Sequence, residues 1–99
     1  MPYETLVGLD VRDDVMYDAY RAAMKPILDR FGGGFRYDFR VGEVLRSETE
    51  NPINRVFAIY FPDKVSKAAF FADPEYQQVR ATYFAPSVAA VTTIAEYER

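Results

Sequence analysis

Apolar side chains recur at every second residue in four stretches of this chain, and at every third or fourth residue in the segments between them. Residues 3–11 place Thr5, Val7, Leu9 and Val11 on one face and Glu4, Leu6, Gly8 and Asp10 on the other, which is the period of a β-strand. Asp13 and Asp14 then offer N-cap oxygens to a helix with an apolar stripe of Met16, Ala19, Tyr20, Ala23, Ile27 and Phe31. Pro26 lies inside that stripe and withholds an amide from the helical ladder, which predicts a kink or a restart. Gly32-Gly33-Gly34 ends the helix, since glycine readily takes the left-handed backbone that closes helices.

A long second strand is expected over 35–46, with Phe35, Tyr37, Phe39, Val41, Glu43 and Leu45 on one face and Arg36, Asp38 and Arg40 on the other. Residues 47–52 (SETENP) carry turn chemistry, and 53–61 form a third strand rich in β-branched and aromatic residues. Asp63 caps a second helix holding Val65, Ala68, Ala69, Phe70 and Phe71. Asp73-Pro74 stops that helix and opens another, with Pro74 at its first position. This last helix carries Tyr76, Val79, Arg80 and Tyr83 and leads to a final strand over 88–97. The order is βαββαβ with one extra helical piece. Right-handed crossovers turn it into an α+β, ferredoxin-like sandwich, a four-stranded antiparallel sheet with the helices on one face. At 99 residues the chain reads as a single domain, 1–99.

Two absences narrow the chemistry. With no Cys and no His, disulfides, thiolate-bound zinc, His-ligated haem, Cys nucleophiles and the Ser-His-Asp triad are excluded. No metal site and no cofactor are expected. A net charge of −3 with interspersed signs gives no footprint for nucleic acid or anionic lipid. No apolar run approaches a membrane span, and the first residues lack a signal-peptide pattern. The expected location is therefore the cytoplasm. The βαββαβ order is shared with RNA-recognition modules, but Val56 and Ile59 occupy the glycine and aromatic positions of their third-strand signature.

Helices cover one sheet face, and Val7, Leu9, Phe39, Phe57, Ile59 and Phe61 are expected beneath them. The other face carries Leu6, Gly8, Val44, Val56, Ala58 and Tyr60, an apolar patch rimmed by Arg36, Asp38, Arg40 and Asn54. A twofold copy packed sheet on sheet is the simplest cover, so a homodimer is expected.

Tyr17-Asp18-Ala19-Tyr20, the glycines at 32–34 and Arg55-Val56-Phe57-Ala58-Ile59 then point to a known family. So do Phe61-Pro62-Asp63, Lys67-Ala68-Ala69-Phe70-Phe71 and Asp73-Pro74-Glu75-Tyr76. Together they resemble the domain of unknown function 1330 family, of the dimeric α+β barrel superfamily, over nearly the whole chain. The resemblance implies a ferredoxin-like subunit and a barrel-forming dimer, and it supplies no reaction. Superfamily relatives include cofactor-free monooxygenases, muconolactone isomerase and haem-degrading enzymes. The haem branch usually relies on a His that this chain lacks.

Two constellations could carry chemistry. A hairpin about 47–52 sets Leu45 opposite Arg55 and Glu43 opposite Phe57, so Glu43 and Arg55 become diagonal neighbours. They read either as a proton-transfer group and a carboxylate anchor, or as an ion pair closing the core. The second comprises Tyr17 and Tyr20 on the first helix with Tyr76, Arg80 and Tyr83 on the last. It reads either as an aromatic pocket with polar handles for a small acid or phenol, or as core filling. Two functions stay open. One is a cofactor-free enzyme, isomerase or monooxygenase in type, acting on a small aromatic or carboxylic compound. The other is a non-catalytic dimeric module that binds a metabolite or a protein.

Overall fold

In a computed structural model describing residues 1–99, β1 (Tyr3–Val11) lies at the centre of one sheet. β3 (Arg55–Phe61) and β4 (Val88–Glu98) flank it, and β2 (Gly34–Arg40) lies outside β3. The strand order is β2-β3-β1-β4 with every neighbouring pair antiparallel. α1 (Asp14–Arg30) follows β1, and α2 (Lys64–Ala72) follows β3. The last connection holds α3 (Pro74–Val79), a π-helical turn (Arg80–Phe84) and α4 (Ala85–Ser87). Val7, Leu9, Phe57, Ile59 and Phe61 from the sheet and Tyr17, Tyr20, Met24, Ile27, Leu28, Phe70, Tyr76 and Phe84 from the helical segments share one core. This is the ferredoxin-like α+β sandwich expected from the order of elements.

The helix boundaries follow the capping residues. The Asp13 carboxylate accepts from the Met16 amide at 3.0 Å, and that of Asp63 accepts from Ser66 at 2.7 Å. Asp73 serves two helices, ending α2 with its own amide on the Phe70 carbonyl and opening α3 with its side chain on the Tyr76 amide. α1 closes as a Schellman turn. Gly32 takes φ +74°, its amide reaches the Asp29 carbonyl, and the Gly33 amide reaches that of Leu28. α1 also runs unbroken through Pro26, so the expected restart does not occur.

The buried stripe of α1 is Tyr17, Tyr20, Met24, Ile27 and Leu28. It is rotated from the expected one, because Tyr17, Met24 and Leu28 bury far more apolar area than Ala19 and Ala23. In α2 only Phe70 is buried, held among Phe61, Phe31 and Tyr76, while Val65 lies in solvent.

The largest departures from the sequence reading lie in β2. The strand ends at Arg40, not at residue 46, and the chain from 41 to 54 has no regular structure. This places Arg40 opposite Arg55, Phe39 opposite Val56 and Asp38 opposite Phe57. The expected pairings of Leu45 with Arg55 and Glu43 with Phe57 are therefore not formed. A bulge between Phe35 and Tyr37 also exchanges the faces of the strand. Phe35 packs toward the helices, but beyond the bulge Asp38 points that way while Tyr37 and Phe39 turn to the opposite face. Phe39, expected in the core, is 54% exposed.

The face away from the helices thus carries Tyr37, Phe39, Val56, Ala58, Leu6 and Tyr60 from three strands, with Ile94 and Tyr97 from β4. Tyr37 and Phe39 stack on each other at 5.7 Å between ring centroids. The 41–54 segment crosses part of this face. Ile53 lies against Gly8, where a β-carbon would meet it at 2.9 Å, and Asn51 reaches Thr92. At its end Asn54 bonds both the amide and the carbonyl of Val11 at 2.8 Å, fixing the segment to β1. Val44 and Leu45 are left in solvent.

Candidate functional site

The helices do not reach across the whole sheet. β1 and β3 are covered, but Val91, Thr93 and Glu96 of β4 stay exposed on the helix side. The uncovered strip leads into a cavity of about 320 Å³ between sheet and helices. Val7, Leu9, Phe57 and Ile59 form its floor, and Tyr20, Met24, Phe70, Tyr76 and Phe84 its far wall. An apolar cleft with a few polar groups is the usual form of a small-molecule site.

The aromatic wall is built by two helices meeting. Tyr20 on α1 and Tyr76 on α3 join their hydroxyls at 2.8 Å. The Tyr20 ring packs on Phe84 at 5.0 Å, and the Tyr76 ring on Phe70 at 4.3 Å. The π turn explains why Phe84 and not Tyr83 belongs to this wall. In an α-helix the residue seven beyond Tyr76 would share its face, and that residue is Tyr83. Here the Ala85 amide bonds the Arg80 carbonyl, five residues back, so one additional residue is accommodated and Phe84 turns inward. Tyr83 becomes a half-buried residue beside the core and does not line the cavity.

Burial raises the ionisation of both phenols above the ordinary tyrosine range. For Tyr20 the neighbouring Tyr76 adds to the rise. For Tyr76 the Tyr20 hydrogen bond and the Arg80 charge oppose it. Both hydroxyls therefore stay protonated at neutral pH.

Three cations line the cavity: Arg21, Lys67 and Arg80. Lys67 is paired with Glu96. Arg21 is engaged by Asp38 at 3.1 Å and gives its Nε to the Tyr17 hydroxyl at 2.8 Å. Arg80 lies over Phe84, 5.0 Å from the ring centroid, and has no carboxylate partner.

Arg55 and Glu43 are not brought together. Arg55 donates to both oxygens of Asp38 at 2.8 and 2.9 Å, and its guanidinium lies over the Tyr17 ring at 5.1 Å. It stands beside the cavity wall rather than on it. Glu43 is exposed on the irregular 41–54 segment and forms no ion pair. Of the sequence candidates, Tyr17, Tyr20, Tyr76 and Arg80 line one cavity together. Sequence reasoning missed Phe84, Lys67 and Glu96. An ion pair joining α2 to β4 across 29 residues has no local signal, and the π turn hid Phe84.

These features define a ferredoxin-like domain with one helix-covered and one open sheet face. The chain belongs to the family described as "Domain of unknown function (DUF1330)", whose model matches residues 5–97. Its fold resembles a protein of unknown function from Rhodopseudomonas palustris, at 18% identity and TM-score 0.82, over 99% of this chain and 82% of that one. A dabb family protein with a ferredoxin-like fold from Mesorhizobium loti is similar at 14% identity and TM-score 0.71, over 99% and 96% of the two chains. A dimeric protein of unknown function and ferredoxin-like fold from Bacteroides fragilis is similar at 13% identity and TM-score 0.64, also over 99% and 96%. None of the curated proteins matches the chain. No helix is long and apolar enough to cross a membrane.

Proposed function

We propose that this protein is a homodimeric small-molecule-binding domain whose ligand occupies the cavity between sheet and helices. The observation that carries the reading is the cavity itself, about 320 Å³ in volume and lined mostly by apolar side chains. A dry cavity of about 150 Å³ takes up one benzene, so this one has room for a ring with a side chain. Its only carboxylate, Glu96, is held by Lys67, which leaves no free base on the wall and favours binding over the proton-transfer chemistry considered for Glu43. The proposed site residues are Tyr20, Tyr76 and Arg80, with Met24, Phe70 and Phe84 supplying apolar contact.

The dimer rests on the open sheet face. Tyr37 and Phe39 are each more than half exposed, and Ile94 adds to the same face. Contiguous apolar surface of this kind is uncommon on a monomer. The Bacteroides neighbour is described as dimeric.

The cavity is tested by following the methyl resonances of Met24 and Val91 during titration with 4-ethylphenol. Saturable shifts are expected in the native protein and their loss in Val91→Trp, whose indole would fill the opening at unchanged melting temperature. No shift in the native protein refutes the reading. The dimer is tested by sedimentation of Phe39→Asp. The exposed position tolerates the change in a lone protomer, whereas an interface would bury an unpaired charge, so a folded monomer is expected. A native protein that sediments as a monomer at micromolar concentration refutes the sheet-on-sheet arrangement.

A further inference from the structure

Hydrogen-bond arithmetic at the tyrosine pair leaves one proton without a home. Each phenol carries one O–H donor, and the two hydroxyls share a single bond. Whichever oxygen donates, the other hydroxyl still has its proton to give, and no carbonyl, carboxylate or hydroxyl of the protein accepts it. Both residues are more than nine-tenths buried, at 5% and 2% exposure, and both line the cavity. A buried donor left unmatched is costly, so such a group ordinarily meets an acceptor.

The neighbourhood indicates which hydroxyl holds the spare proton and what kind of acceptor would suit it. Arg80 follows Tyr76 by one helical turn, and its positive charge favours electron density on the Tyr76 oxygen. That charge makes Tyr76 the stronger hydrogen-bond donor of the pair, so an anionic acceptor placed beside Arg80 draws the Tyr76 proton and Tyr20 then donates to the Tyr76 oxygen. Arg80 is also the one cavity-lining cation without a carboxylate, since Arg21 is held by Asp38 and Lys67 by Glu96. A free phenolic donor and an unpaired guanidinium, one turn apart on the same wall, form an anion-binding pair.

We infer that the cavity binds a small monoanionic carboxylate with an aromatic or branched apolar body, its carboxylate received by the Tyr76 hydroxyl and the Arg80 guanidinium. The inference rests on the cavity being the ligand site and adds the chemistry of the ligand. Tyr20 acts at one remove. By donating to Tyr76 it orients that hydroxyl so that its proton points toward the ligand. The apolar body lies on Met24, Phe70 and Phe84. A planar carboxylate suits a guanidinium better than a point cation would, because two N–H groups can engage both oxygens.

The test compares 4-ethylbenzoate with its neutral isostere 1-ethyl-4-nitrobenzene, by titration of the full-length protein followed through the Met24 and Val91 methyl resonances. The carboxylate is expected to bind about tenfold more tightly than the nitro compound, the usual worth of one or two charge-assisted hydrogen bonds. Arg80→Gln, at an exposed position, should abolish that preference, the carboxylate losing about tenfold more affinity than the nitro compound. Tyr76→Phe should weaken the carboxylate severalfold with little effect on the nitro compound. Equal binding of the two probes, or an Arg80→Gln preference equal to that of the native protein, overturns the carboxylate assignment and leaves the cavity as a site for neutral molecules. Binding of neither probe overturns the cavity reading and this inference together.

Discussion

Asp38→Asn should be the most damaging single substitution at a charged residue of the helix-facing side. The native carboxylate accepts four N–H groups, two from Arg55 at 2.8 and 2.9 Å and two from Arg21 at 3.1 and 3.3 Å. All of its lone-pair positions are used. The two guanidiniums are only 13% and 16% exposed and lie on aromatic faces, Arg21 at 3.9 Å from the Phe35 centroid and Arg55 at 5.1 Å from that of Tyr17. An Asn side chain keeps one acceptor oxygen and turns an NH₂ toward a guanidinium. Two charge-assisted bonds are lost, each worth about 1.5–3 kcal/mol when buried. Because the carboxylate is 32% exposed, solvent returns roughly half, leaving a destabilisation of about 1.5–3 kcal/mol. For a chain of this length that lowers the melting temperature by about 7–15 °C, read by circular dichroism at fixed protein concentration.

The same residue has a pH signature. Burial raises the Asp38 carboxyl, but the bonds and charges of Arg55 and Arg21 outweigh it and hold the group below the usual aspartate range. With the folded value depressed, the stabilisation is complete above the unfolded value near pH 4 and disappears as pH falls through the folded value. The native and Asp38→Asn proteins should therefore converge in stability as the pH drops below about 4. A variant melting within a degree or two of the native protein at pH 7, or a gap that persists at low pH, would refute the assignment of Asp38 as the anchor of both arginines.

Other substitutions probe different parts of the frame. Asp73→Ala removes the α3 N-cap and should lower stability by about 1 kcal/mol, read as a shift of about 5 °C in the melt. Gly32→Ala places a β-carbon at φ +74° and 2.9 Å from the Pro62 ring, so a loss of about 1–2 kcal/mol is expected in urea unfolding. Glu4→Gln replaces a nearly fully buried carboxylate that receives Tyr97, Arg36 at 2.7 Å and Arg99 at 3.1 Å, and should cost at least as much as Asp73→Ala. Burial raises the Glu4 carboxyl, but those three partners together hold it below the usual glutamate range. Its contribution should therefore also fade on acidification, measured as a smaller native-to-variant gap below about pH 4.

The βαββαβ order was legible because each strand and helix announced itself locally. The caps at Asp13, Asp63 and Asp73 and the terminating glycine are written in single residues, and each forms as its chemistry suggests. The features that escaped are those in which one residue alters a count. The bulge at β2 exchanged Asp38 with Tyr37 and Phe39, so a charged stripe read as facing the open side is in fact split between both faces. Arg36 goes to Glu4 and Tyr60, Asp38 to Arg21 and Arg55. The alternation of residues 41–46 continued the strand pattern without having a partner strand, and alternation alone does not report pairing. The Glu43–Arg55 juxtaposition depended on that pairing. The aromatic site was half legible, because Tyr20 and Tyr76 lie on separate helices whose contact no spacing rule encodes.

The π turn at Arg80–Phe84 gives this wall an unusual kind of freedom. Deleting Phe84 would return the segment to ordinary helix without altering either the Asp73 cap or the start of β4. The phenol of Tyr83 would then replace the ring of Phe84 against Tyr20, turning an apolar side of the cavity into a hydroxyl-bearing one. A length change of one residue, ordinarily the mutation least tolerated inside a helix, becomes at this position a means of rewriting ligand preference while the scaffold stays as it is.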